Sequence, residues 1–141
     1  MESNSTHAEL YKLVEKLKKA EDPKRKYEFI LWLGKKLKVP NKRILIPENK
    51  VQGCVSEVFV KASFQKGKVY WEGYSDAFIT KGLLAFLING MNELTPKEVV
   101  NINNKFIEDT GLKASLTPSR SNGFLNILLK MQSQANDFLS E

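Results

Sequence analysis

Over residues 6 to about 20, Leu10, Leu13, Val14 and Leu17 recur at helical spacing with lysines on the other side, which predicts an amphipathic helix. A second helix opens where Asp22 can cap and Pro23 can take the first helical position, and Tyr27, Ile30, Leu31 and Leu37 continue one face. Its end is expected near residues 36–38, before Pro40. Pro40 and Pro47 then mark residues 39–51 as an extended or looping connection, so that Gln52-Gly53-Cys54 arrives at the end of a loop.

The period now changes from helical to alternating. Val58, Val60, Ala62 and Phe64 alternate over residues 55–64, and residues 68–73 form a second β-rich run with Val69 and Trp71 on one side. Gln65-Lys66-Gly67 between them predicts a hairpin turn. Ser75 or Asp76 can cap the next helix, in which Ile79, Leu83, Phe86, Leu87 and Gly90 line one face, with a stop near Gly90 or Asn92. This segment is apolar enough to be the central core helix. Thr95-Pro96-Lys97-Glu98 is a capping box that opens a short helix, and another short helix around residues 104–110 ends at Gly111. Thr117-Pro118 starts a long helix in which Phe124, Leu128, Met131, Ala135 and Phe138 recur at steps of four, three, four and three.

Helices, one antiparallel hairpin and further helices give an α+β fold, a small antiparallel β-sheet packed against several helices. The chain has no repeat or domain-length linker, so residues 1–141 are expected to form one domain, with residues 1–6 as a mobile N-terminus. With 141 residues, 42% hydrophobic and 27% charged, the composition suits one globular core. No apolar run approaches the roughly 20 residues of a membrane helix, and the polar start is unlike a signal peptide. A cytoplasmic location is expected, or the plastid stroma if the chain is a processed form.

Charge divides the chain unevenly. Residues 1–50 carry 13 Lys or Arg against 7 Asp or Glu, whereas residues 51–141 carry 9 against 9, so the whole net charge of +6 sits in the N-terminal third. The lysines at residues 12–19 and 35–38 read as solvated helix faces, with a docking surface for an acidic protein as the alternative. A nucleic-acid surface is the competing class; it would bind DNA or RNA with steep salt dependence and ignore loss of Cys54.

The chain has one cysteine and one histidine. No intramolecular disulfide can form, and Cys54 with His7 cannot supply the about four ligands of a structural zinc or iron–sulfur site. A thiol protease needs a histidine base beside its cysteine, and His7 lies in a polar segment expected to be mobile, which disfavours a Cys-His dyad. Cys54 on its own reads as a small buried apolar residue, but Gly53 and the junction of loop and strand suggest a presented thiol.

Three segments carry a resemblance. Val51-Gln52-Gly53-Cys54-Val55-Ser56-Glu57-Val58 resembles the cysteine motif of the SufE family, QGCxSxV. Gly73-Tyr74-Ser75-Asp76-Ala77-Phe78-Ile79-Thr80-Lys81-Gly82-Leu83 is similar to its second segment, and Leu116-Thr117-Pro118-Ser119-Arg120-Ser121-Asn122-Gly123 to its third, LTPSRSxG. The likeness covers roughly residues 10–135. Two positions depart from the pattern: Tyr74 stands where an acidic residue is frequent, and Phe59 where tryptophan is frequent.

The resemblance implies a fold shared with iron–sulfur scaffold proteins of the IscU type, and a sulfur-acceptor role. A pyridoxal-phosphate cysteine desulfurase of the SufS type forms a persulfide, Cys54 takes the terminal sulfur and activates that desulfurase, and the sulfur passes to an iron–sulfur scaffold complex. The chain is then a sulfur-transfer partner rather than a stand-alone enzyme, and binds no cofactor or metal itself. Arg120, carried over from the third motif, would favour the thiolate or contact the desulfurase. Asp76, from the second, would support the cysteine loop, with helix capping as the plainer explanation. Neither nucleic acid nor membrane is an expected partner, and a homodimer is left open. The alternative class is a thiol redox-sensing or interaction module, whose thiol would be oxidised rather than sulfurated.

Overall fold

The computed structural model describes residues 7–139, so the mobility expected of residues 1–6 lies outside the described residues. Six helices and one hairpin follow in the order α1 (Ala8–Lys19), α2 (Pro23–Lys35), β1 (Val58–Gln65), β2 (Lys68–Ser75), α3 (Phe78–Met91), α4 (Pro96–Val100), α5 (Phe106–Asp109) and α6 (Pro118–Phe138). Short 3-10 turns occupy Lys42–Ile44, Pro47–Asn49 and Leu112–Ala114. The architecture is α+β, with α3 packed against α1, α2, β2 and α6.

α3 is central because apolar residues cover almost its whole circumference, Ile79, Leu83, Phe86, Leu87 and Gly90 among them. α2 crosses it closely where Gly34 meets Gly82; a Cβ on Gly34 would lie 2.9 Å from the Gly82 nitrogen. Phe86, Phe106 and Phe124 meet at the centre of the core, with ring centroids 5.7 to 6.5 Å apart and Phe124 edge-on to the other two. No helix among the described residues is long and apolar enough to cross a membrane.

The strands pair antiparallel, Val58 opposite Ser75 and Gln65 opposite Lys68. Lys66 (φ 51°) and Gly67 (φ 80°) make the two-residue turn, and positive φ at both central positions matches the right-handed twist of the strands. The strands differ in extent from the sequence expectation: β1 starts at Val58 rather than 55, and β2 runs on to Ser75. Phe64 is partly exposed and stacks on Phe138, with centroids 5.1 Å apart, instead of entering the core. The two departures from the family pattern lie opposite each other across the ladder, Phe59 and Tyr74 having centroids 6.3 Å apart. The outer edge of β1 is closed by Gln134 of α6, which donates to the Val60 carbonyl and accepts from the Ala62 N–H, each at 2.8 Å. A side-chain amide thus satisfies the groups that a third strand would pair.

The N-terminal helices depart from expectation at three residues. Tyr27, placed on the buried face of α2, is partly exposed, and Lys26 takes a buried place instead. Its ammonium donates to the carbonyls of Leu17, in the last turn of α1, and of Thr110, just after α5, the latter at 3.1 Å. Carbonyls at helix ends lack intrahelical donors and carry partial negative charge, so a buried cation is stable there. His7 belongs to no mobile segment: it is buried, and its Nε2 donates to the Glu98 carbonyl at 2.9 Å.

Candidate functional site

The loop that carries Cys54 is pinched at its base, where the Val51 N–H donates to the Val58 carbonyl at 2.8 Å and Lys50 bridges Phe59. Upstream, the Asn49 side chain is buried and donates to the Ile44 carbonyl, which fixes the approach. Gly53 has φ 80°, a conformation that side chains resist, and a Cβ there would lie 2.5 Å from Asn126 Nδ2. That amide donates to the Gly53 carbonyl at 3.2 Å. Glycine therefore lets the loop press against α6 just before the cysteine.

Cys54 is half-buried against the core, with Sγ 3.8 Å from the Gly123 carbonyl, to which the thiol donates. A Cβ on Gly123 would stand 3.4 Å from that sulfur, so the glycine of the third motif leaves room for it. Burial pushes the Cys54 thiol up from its ordinary value, because a thiolate is poorly solvated there. The next residue faces the other way: Val55 is 71% exposed, beside a cleft lined by Tyr27, Ile79, Leu116, Thr117 and Arg120.

Past Val55 the loop is tied to the segment that leads into α3. Asp76 Oδ1 accepts from the Glu57 N–H at 3.0 Å, and the Asp76 N–H returns a bond to the Glu57 carbonyl at 3.3 Å. Helix capping, the plainer explanation of Asp76, is not what its carboxylate does. The N-cap position of α3 is Ala77, without a side-chain cap, and Ser75 Oγ accepts from the Ala77 N–H. Phe78, which opens the first turn of α3, is 81% exposed.

Arg120 stands in the first turn of α6, whose N-cap Thr117 accepts from the Arg120 N–H. Its guanidinium donates to Thr80 Oγ1 at 3.1 Å, and Thr80 donates to Ser56 Oγ at 3.3 Å. Arg120 thus reaches the cysteine loop through two hydroxyls, while the thiol's own bond goes to Gly123. The residues the sequence reading did not single out are Asn126, Thr80 and Ser56. The last two sit inside the quoted motifs, but their pairing spans 24 positions and only folding brings it about.

The imidazole of His7 is taken up by Glu98 and forms no bond with the thiol. Among the described residues, no three His, Cys, Asp or Glu side chains gather where they could hold a metal ion. The arrangement is one half-buried thiol on a loop tied at both ends, without a histidine base beside it, and a thiol so placed can exchange at sulfur once it is deprotonated.

A family model described as SufE, an Fe-S metabolism associated domain, matches residues 11–135. The chain is 52% identical over 129 residues to an uncharacterized SufE-like protein of Synechocystis, covering 92% of this chain and 81% of that protein. It is 40% identical over 127 residues to the chloroplastic/mitochondrial SufE-like protein 1 of Arabidopsis thaliana, covering 89% of this chain but 34% of that longer protein. Identity with the cysteine desulfuration protein SufE of Plasmodium falciparum is 31% over 142 residues, covering 92% of this chain and 57% of that protein. The fold matches that of a hypothetical protein from Thermus thermophilus solved in solution, with TM-score 0.81, 24% identity, and coverage of 94% of this chain and 97% of that one.

Proposed function

This chain belongs to the SufE family, the Fe-S metabolism associated domains, and from that premise we propose that Cys54 accepts persulfide sulfur from a pyridoxal-phosphate cysteine desulfurase. The observation that carries the reading is the placement of the lone cysteine, half-buried on a loop pinned at both ends, with no second thiol to divert it into a disulfide. In the transfer, the Cys54 thiolate attacks the terminal sulfur of the desulfurase persulfide. One sulfur–sulfur bond forms and one breaks, the desulfurase cysteine leaves as its thiolate, and the Cys54 proton passes to solvent or to that leaving group. The outer sulfur of the Cys54 persulfide then passes to a thiolate of an iron–sulfur assembly scaffold by the same exchange, and Cys54 leaves as its thiolate.

At rest the thiol is shielded, and its burial disfavours the thiolate that must attack. Docking of the partner is proposed to move the loop outward about its ties at Gly53 and Glu57, which hydrates the sulfur and raises the thiolate fraction. Arg120 and Asp76 act on the loop through hydrogen bonds, Arg120 by way of Thr80 and Ser56, Asp76 by way of Glu57. The chain supplies the acceptor and the activating contact, and the desulfurase supplies the cofactor chemistry.

The test is the cysteine-dependent sulfide release of a SufS-type desulfurase with and without this protein. The proposal expects stimulation by the wild type and none by Cys54→Ser. Equal stimulation by both would remove Cys54 from the reaction.

A further inference from the structure

We propose that Thr80 is the positioning residue that latches the Cys54 loop in its half-buried state, by relaying a hydrogen bond from Arg120 to Ser56. The inference rests on Cys54 being the acceptor thiol only for its biological meaning; the latch itself is a matter of loop geometry.

Thr80 is 3% exposed, in the first turn of α3. The chemistry of its two partners fixes the direction of the relay. A guanidinium has no acceptor, so Arg120 Nη1 must donate to Thr80 Oγ1 at 3.1 Å. The single hydroxyl proton of Thr80 is then free to go to Ser56 Oγ at 3.3 Å. A cation donating into one side of a hydroxyl makes that hydroxyl a stronger donor on its other side. A helical threonine commonly turns its hydroxyl back to the carbonyl four residues earlier. Here it turns to the loop, held by its bonds to Arg120 and Ser56.

The position is informative because valine has the same shape. Val fills the same space but removes both the acceptor of the Arg120 guanidinium and the donor to Ser56, so Thr80→Val takes away the relay while keeping the packing. Other ties hold the loop: Asn126 to the Gly53 carbonyl, the Cys54 thiol to the Gly123 carbonyl, and two bonds between Asp76 and Glu57. Beside these, the Thr80 tie is the one backed by a cation. Ser56 is only two residues from Cys54, so its release frees the segment bearing the sulfur and the exposed Val55.

The test uses the fact that Cys54 is the one thiol in the chain, so that any thiol reagent reads it alone. Rates of alkylation by iodoacetamide across pH are compared for the wild type, Thr80→Val, Thr80→Ser and Ser56→Ala. Loss of the latch is expected to raise the rate by about five- to tenfold at neutral pH in Thr80→Val and Ser56→Ala. The midpoint of their pH profiles moves down toward that of an unstructured thiol, and Thr80→Ser keeps wild-type behaviour. Rates and midpoints for Thr80→Val equal to wild type would overturn the proposal, as would Thr80→Ser reacting as fast as Thr80→Val. Should Thr80→Val fail to fold, Ser56→Ala decides by the same criterion. No desulfurase enters the assay, so failed sulfur uptake by a protein with an intact latch would count against the carrier role alone.

Discussion

Around α3 the rings of Phe86, Phe106 and Phe124 are withdrawn from water, Phe124 edge-on to the other two, whereas the loop of residues 51–58 keeps its key side chain half-exposed and depends on single polar contacts. Both regions lean on α6: Phe124 points into the aromatic cluster, and its neighbour Gly123 accepts the Cys54 thiol's hydrogen bond. Burying a phenylalanine side chain contributes about 1.5–3 kcal/mol, while a typical hydrogen bond contributes net about 1 kcal/mol. The aromatic core and the cysteine loop thus meet α6 at adjacent residues, Phe124 and Gly123, but are secured by interactions of different size. A loop held by a few bonds of that size can be released by a docking partner without loss of the core.

The largest effect is expected at Phe124. Its replacement by Ala should cost about 3–5 kcal/mol, read as a fall in the urea midpoint, since the cavity would lie where three rings meet. A loss below about 1 kcal/mol would place the stability elsewhere. Lys26→Met should cost about 2 kcal/mol by the same measurement, because it leaves two helix-end carbonyls buried without their donor. Gln134→Leu removes both bonds that close the outer edge of β1. It should cost about 1–2 kcal/mol and increase self-association in sedimentation, as expected for an uncovered strand edge.

At the loop the expectations reverse, with small changes in stability and larger ones in thiol reactivity. Asp76→Ala should lower stability by about 1 kcal/mol or less, yet accelerate Cys54 alkylation. The wild-type alkylation profile should have its midpoint above that of a short cysteine peptide. Burial raises the thiol, so that at neutral pH the folded protein carries the smaller thiolate fraction. A midpoint below the peptide's would mean that a neighbouring cation outweighs burial and would sharpen the role of Arg120.

Local signals made most of the fold legible. The Thr95–Glu98 capping box, the hairpin turn and the α6 stripe each depend on residues a few positions apart, and the capping box forms as read. The turn read as Gln65-Lys66-Gly67 tightens to Lys66-Gly67, with Gln65 ending β1, and the stripe from Phe124 is buried as far as Ala135, its last residue Phe138 stacking on Phe64 instead. Lys26 was hidden because a lysine among lysines looks solvated, and its carbonyl partners come from α1 and from beyond α5, the latter 84 residues away. Gln134 was equally silent, its strand partners being 72 and 74 residues distant. At the site, the motif marked Cys54 and its neighbours. How Arg120 reaches the loop was not legible, because it passes through a hydroxyl on α3 that no periodicity distinguishes.

Sulfur transfer to Cys54 is tested most directly by the intact mass of this protein after a short incubation with a cysteine desulfurase and cysteine, without reductant. The expected result is the mass of one added sulfur atom, lost on treatment with a thiol reductant and absent from Cys54→Ser. An unmodified mass with an active desulfurase, or the same addition to Cys54→Ser, would contradict it.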